Sequence, residues 1–318
     1  MKHSKFLAAL LLACTAFAVQ AEDYPQRPIR VVVGYTAGGA TDTIARVVAD
    51  KISGPLGQPV IIENRPGASG NIALNYVAHA KPDGYTLHAS GSPLVVSPAL
   101  FKSLPFDSLK DFDPITVAVV SPNVLVVGKD FPANTIQELF ELGKKQPGRL
   151  TYAGSTPLFV LAAEGINMRT GMKMQQIPYK GSSDALIDVS QGRVDVMIDT
   201  IGNQMQHIKA GIVKPLAVLG KQRSASLPDV PTLDESGLNG YEEDGWIGFV
   251  APAGVPRSII DRLNKEIVAA LQSDEVRQRL DGMGFVTTTS TPEETRARVE
   301  SDVDRYIKAA DAANLPKM

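Results

Sequence analysis

The stretch "GYTAGGATDT", Gly34 to Thr43, sets two adjacent glycines, three threonines and one aspartate directly after the apolar run "IRVVV". A phosphate loop needs Gly-x-x-x-x-Gly-Lys-Ser/Thr and a dinucleotide turn needs Gly-x-Gly-x-x-Gly. Neither spacing is present, and no lysine or arginine lies between Gly34 and Ile44. What remains is a strand end, glycines that let backbone approach a ligand, and a helix start at Thr41 or Asp42. Free N–H groups and the dipole of such a start favour negative charge. A carboxylate, small and singly charged, suits it; a capped turn with nothing bound is the plain alternative.

A second stretch, "YAGSTPLFVLAAEG" from Tyr152 to Gly165, repeats the theme: a strand ends in glycine, then Ser155 and Thr156 precede Pro157 and an apolar helix. Two such ends on two lobes could face each other across a cleft, or be a coincidence of turn chemistry. Asp199 closes the run "VDVMID", on the side of an open α/β sheet where ligands usually bind. It serves either to accept a donor on a ligand or water, or to cap "IGNQMQHIKAG". Trp246, the sole tryptophan, is a core anchor or a cleft wall.

Catalytic constellations are missing from the pattern. His79, His88 and His207 are scattered without the His-x-x-x-His spacing of a metal site, and no Gly-x-Ser-x-Gly elbow occurs. "GASG" at Gly67 to Gly70 reads as a loop with a helix cap at Ser69 or Asn71. No metal, no cofactor and no enzymatic activity are expected.

The elements that must position these loops alternate along the chain. "IRVVVG", "DTIARVVADKI" and "PVIIE" read as strand, amphipathic helix and strand, the mark of a parallel sheet with right-handed crossovers. "GYTLHAS" follows as a strand, and then "PITVAVV" and "NVLVVG" stand back to back around "SP". That juxtaposition marks a chain leaving one sheet for another near Ser121–Asn123. A fresh α/β series follows, beginning with a helix capped by Asn134 or Thr135. The segment from Arg223 to Gly245, rich in Pro, Gly, Ser and acidic residues, reads as a connection. After it come the strand "WIGFVAP", a helix with Pro256 in its first turn, and a last helix behind a Thr-Pro-Glu-Glu cap. The expected division is a discontinuous first domain, 22–122 with 245–318, and a second domain, 123–244.

Residues 1–21, with Lys2 and Lys5 ahead of an apolar stretch and small residues up to Ala21, read as a secretory leader. Its loss takes the basic count from 32 to 30 against 34 acidic residues, a balance that excludes electrostatic nucleic-acid binding. Cleavage after Ala21 would also remove Cys14, the only cysteine. Lipid attachment at Cys14 is the alternative.

Several long motifs in order resemble one family. "YPQRPIRVVVGYTAGGATDTIAR", "GQPVIIENRPGASGNIA", "AKPDGYTL", "PYKG", "KPLAVLGKQRSASLPDVPTLDESG" and "GFVAPAGVP" are similar to the tripartite tricarboxylate transporter substrate-binding proteins, the Bug or TctC-like receptors. The resemblance runs from about Tyr24 to the C-terminus. It implies a periplasmic type II binding-protein fold, two lobes each a mostly parallel sheet flanked by helices, closing as a monomer over a small organic anion. That anion would be a mono- or dicarboxylate passed to a membrane permease. By the same resemblance its carboxylate is held by Tyr35, Thr36, Ala37, Gly38, Gly39, Thr41 and Asp42 of the first loop. Ser155, Thr156 and Pro157 of the second loop face it, with Ser90 and Ser92 from a third. Asp42 reads better as the helix cap than as an acid. Where many members carry a histidine in the second loop, this chain has Leu158, Phe159 and Val160. An apolar second lobe leaves room for an aromatic or long-chain acid, with Tyr35, Phe159, Tyr179 and Trp246 as walls. A ligand sensor for a membrane kinase, or an exported α/β enzyme acting on a carboxylate, are the competing functions.

Overall fold

The computed structural model describes residues 24–179 and 181–312, with Leu315 and Lys317. The leader over 1–21 with its Cys14, and Lys180 of "PYKG", lie outside the described residues.

The β-branched runs form strands β1 (Ile29–Val33), β2 (Val60–Asn64) and β3 (Thr86–Ser90), which pair in parallel. In β1 only Arg30 is exposed, which is why its sequence is a continuous apolar run rather than an alternation. Helices α1 (Ala40–Leu56), α2 (Asn71–Ala78) and α3 (Ser92–Leu100) follow these strands in turn. Strand β4 (Phe112–Ser121) ends this run, and β5 (Asn123–Gly128) already lies in the other sheet. There the chain continues through α4 (Ile136–Lys145), β6 (Thr151–Gly154), α5 (Pro157–Thr170), β7 (Gln175–Pro178) and α6 (Ser182–Ser190). β8 (Val196–Thr200), α7 (Ile201–Lys209) and β9 (Val213–Val218) close it. β10 (Gly245–Pro252) returns to the first sheet, followed by α8 (Arg257–Gln272), α9 (Asp274–Asp281), β11 (Val286–Thr287) and α10 (Pro292–Ala312).

The six-stranded sheet has the order β11-β4-β10-β3-β1-β2 and the five-stranded sheet β7-β6-β8-β5-β9. Four strands of each sheet, β1 to β4 and β6 to β9, run in one direction. β10 lies antiparallel between β3 and β4, and β5 lies antiparallel between β8 and β9. Each is the strand by which the chain enters a lobe from the crossing, so it starts where the β-α-β strands end. The reversed strands therefore bring their first residues, Asn123 and Gly245, to the ligand side of their sheets.

Apolar residues of α1 and α8, among them Ile44, Val48, Leu263 and Ile267, cover one face of the first sheet. The other face packs against α2, α3 and α10 through Leu74, Val95 and Val303. Leu161 of α5, from the second lobe, joins that same cluster, so α10 touches both lobes. Capping follows the sequence at α4 and α10, but α1 and α2 start behind Gly39 and Gly70 with no side-chain cap, not at Asp42 or at Ser69 or Asn71. Thr135 caps α4, accepting from the Glu138 amide, and Thr291 with Glu294 forms a reciprocal capping box at α10. Pro256 stands one position earlier than expected, as the N-cap of α8.

The two crossings lie side by side. The Asn123 amide N–H donates to Asp244 Oδ1 at 3.2 Å, and its side-chain Nδ2 donates to the Glu243 carbonyl at 2.8 Å. Glu243 also pairs with Arg305 of α10 at 3.1 Å and accepts from the Tyr306 hydroxyl. Burial pushes the Asp244 carboxyl up to about 6 in spite of the Asn123 amide. A raised carboxyl favours the folded state fully below its unfolded value near 4, and that contribution is lost as pH rises through 6. Unfolding measured between pH 4 and 7 is therefore expected to show a fall with rising pH. Asp244→Asn removes the part due to this group, on the order of 3 kcal/mol for about two units. An unchanged slope in the variant would assign the fall elsewhere.

Candidate ligand-binding cleft

The loop from Tyr35 to Gly39 is shaped from below. Gly38 takes φ +85°, a conformation that favours glycine, whereas Gly39, the N-cap of α1, has φ −73° and tolerates any side chain conformationally. The Asp42 carboxylate reaches back to accept from the Gly38 N–H at 2.8 Å, and is held on the other side by Arg46 Nε at 2.9 Å and Asn64 Nδ2 at 2.8 Å. Asn64 Nδ2 also donates to the Tyr35 carbonyl at 3.0 Å. The Arg46 bond, with those of Gly38 and Asn64, holds the Asp42 carboxyl down at about 2. Asp42 and Arg46 thus cancel within the loop's support. The helix begins at Ala40 rather than at Thr41 or Asp42.

Glycines bring the neighbouring loops together. A Cβ on Gly34 would lie 2.9 Å from Gly70 Cα, and a side chain on Gly91 would strike the Trp246 carbonyl. The loops after β1, β2 and β3 meet the start of β10 here in a cleft of about 660 Å³ that the second lobe completes.

Tyr35, Thr36, Gly39 and Thr41 line the cleft from the first loop, and Ser92 from the third. Thr156, Pro157, Phe159 and Asp199 line it from the second lobe. The structure thus brings these nine sequence-derived candidates, with Trp246, to the lining of one cavity. Ala37, Gly38, Asp42, Ser90, Ser155 and Tyr179 fall outside its lining. Ala37 and Gly38 carry the exposed turn, and Asp42 is the brace beneath it. Ser90 and Ser155 are buried behind the lining. The Tyr179 hydroxyl donates to Asp188 at 2.6 Å, which turns that ring to the α6 side of its sheet.

Trp246 answers to both of its readings: it is 3 % exposed, its Nε1 donates to Asp302 of α10 at 2.8 Å, and it lines the cleft. Leu158, Phe159, Phe101 and Phe285 add apolar wall. Asp199 is fully buried, and the cap of α7 is its neighbour Thr200, which accepts from the Asn203 amide at 3.3 Å. His88 is a core histidine hydrogen-bonded to the Val32 carbonyl, pushed down to about 4 by burial.

The helix starts around the cleft are not equivalent. α5 and α7 are capped by the side chains of Thr156 and Thr200, whereas α1 and α3 of the first lobe and α6 of the second begin at Gly39, Gly91 and Gly181 with no side-chain cap. First-turn N–H groups of α1 and α3, and of α6 across from them, are therefore left to the cleft, and an anion finds unspent donors there.

The sequence reading did not assign Asn64, Asn123 or the segment Met283 to Phe285. Asn64 lies inside a quoted motif but no spacing ties it to Asp42. Met283 to Phe285 joins the lining from a loop of the first lobe, and here the lobes touch: a Cβ on Gly284 would lie 3.0 Å from Gly202 Cα at the start of α7. No periodic pattern announces such a contact.

Two lobes joined by adjacent crossings, with uncapped helix starts opening into the cavity between them, define a bilobal solute-binding protein. The chain belongs to the tripartite tricarboxylate transporter family receptors, whose family model matches residues 44–315. That family comprises periplasmic solute receptors rather than enzymes. Protein BugT of Bordetella pertussis is 35% identical over 297 residues, covering 92% of this chain and 90% of its own. R. palustris Rpa4515, solved with adipate, is 34% identical with a TM-score of 0.76, covering 93% of this chain and 100% of its own. MatC of Rhodopseudomonas palustris, solved with malate, is 31% identical with a TM-score of 0.73, covering 90% and 100%. Among the described residues no helix is long and apolar enough to cross a membrane, and no group of His, Cys, Asp or Glu could hold a metal ion.

Proposed function

We propose that this protein is a periplasmic receptor that captures a small organic carboxylate between its lobes and delivers it to a tripartite tricarboxylate-type permease. The lobes are 22–122 with 245–318, and 123–244. The observation that carries the reading is the pair of uncapped helix starts, at Gly39 and Gly91, opening into one cavity. The ligand carboxylate sits against the amides of α1 and α3, with hydroxyls of Thr36, Thr41 and Ser92 beside it and Thr156 opposite. Tyr35, Leu158, Phe159 and Trp246 enclose its apolar body. Adipate and malate in the two structural neighbours support a carboxylate as the class of ligand. Binding pulls the lobes together in proportion to the ligand's preference for the closed state. Calorimetry against aliphatic, hydroxylated and aromatic acids, with small-angle scattering to follow closure, tests this. At least one acid should bind with a fall in radius of gyration; a panel without a binder refutes the proposal.

A further inference from the structure

The chain changes allegiance within a few residues at the second crossing. Arg169 of α5 donates to the Asn239 carbonyl at 2.7 Å and the Tyr241 hydroxyl to the Ala162 carbonyl at 2.6 Å, which ties this part of the segment to the second lobe. Arg305 of α10 donates to the Glu242 carbonyl and pairs with Glu243 at 3.1 Å, which ties the next two residues to the first lobe. The pivot between the lobes therefore falls between Tyr241 and Glu242.

A second cavity, of about 440 Å³, lies beside that pivot between α5 and α10. Leu158 of α5 lines the cleft, whereas Leu161, Gly165 and Met168, further along the same helical face, line this cavity. Trp246 divides the two: it lines the cleft, and its Nε1 donates to Asp302, which lines the cavity. The order through the molecule is thus mouth, cleft, Trp246, cavity. At the mouth the lobes are in backbone contact at Gly202 and Gly284, while behind Trp246 they stand apart. Contact in front and space behind is the shut geometry of a hinge. A rotation that parts the mouth narrows the cavity and brings Met168, 53 % exposed here, toward the half-buried Ala309 of α10. The open state then buries apolar surface that the shut state leaves in water.

We propose that the gap between α5 and α10 is a counterweight to the ligand. Its contacts hold the unliganded receptor open, and so set the affinity from outside the cleft. The proposal goes beyond the receptor reading and shares only its binding assay.

Two variants alter the gap in opposite ways and should act alike. Met168→Ala trims a contact that the open state makes and the shut state lacks. Ala309→Trp adds an indole where the shut state has room and the open state becomes overfilled. Both shift the unliganded protein toward the shut form, and apparent affinity rises with the fraction already competent to bind. With a shut fraction of about a tenth or less to begin with, each variant should tighten binding by about fivefold. Calorimetry with an acid that the wild-type protein binds measures this. Small-angle scattering of the unliganded variants should give a radius of gyration below the wild-type value. Neither residue lines the cleft, so a merely structural role would leave affinity unchanged or weaken it. Tighter binding in either variant supports the counterweight. Wild-type or weaker affinity in both folded variants overturns it and leaves the receptor reading standing. If no acid binds the wild-type protein, the receptor reading falls, and the unliganded radii alone decide: contraction supports the counterweight and unchanged radii overturn it. The two substitutions lie on different helices, so the test holds even if one variant does not fold.

Discussion

Gly39→Val should lose carboxylate binding by about a hundredfold, roughly 2.7 kcal/mol, while melting within a few degrees of the wild-type protein. The backbone at Gly39 has φ −73°, and a Cβ there would meet only the Thr36 carbonyl, at an ordinary 3.5 Å. The fold therefore has no reason to object. The branched side chain instead stands at the N-cap of α1, where the anion must approach the first-turn amides. Gly38→Val is the informative contrast: at φ +85° it strains the turn itself, and its loss of binding should come with a loss of stability. Titration of both variants with an acid that the wild-type protein binds, alongside thermal melts, separates the two. Wild-type affinity in Gly39→Val would remove the α1 start from the site.

Trp246→Ala should be the most destabilising single change in the cleft, by about 3–5 kcal/mol for the lost ring, with melting lowered by on the order of ten degrees. The ring is 3 % exposed between β4, α10 and the cavity, and its removal also takes a donor from the buried Asp302 carboxylate. Asp302 keeps Arg298 and Arg305, each at 2.9 Å, so it is not left alone. Trp246→Phe keeps the wall and drops the N–H, and is expected to cost only about 1–2 kcal/mol while binding persists. Urea unfolding of both variants tests this. Equal losses in the two would mean that the hydrogen bond, not the ring, anchors this position.

The elements with strong periodicity were legible because burial dictates residue type along their whole length. β1, β4 and β5 are nearly all buried, and their β-branched runs can be nothing else. The shift between lobes was visible for the same reason, as two apolar strands divided by a single proline. Strand direction was less legible: β10 has the apolar composition of a central strand whichever way it runs, and only the connectivity through the crossing reverses it. Of the cleft, the loops carrying glycines and hydroxyls announced themselves, because a helix start has a local signature. Tyr179 misled because an aromatic residue near a loop looks alike whether its hydroxyl faces a ligand or, as here, Asp188. Asn123 and Met283 to Phe285 gave no warning, since they reach the cleft only through contacts between segments far apart in the chain.

The meeting of Gly202 and Gly284 at the mouth of the cleft bears on how an empty receptor behaves. Two glycines in backbone contact bury very little apolar surface, so the edge limits the approach of the lobes without rewarding it. An unloaded molecule is left free to gape there, and the free energy that shuts it has to be supplied by whatever lies inside. A partner sensing only the spacing of the two rims could then distinguish full copies from vacant ones without touching the cargo.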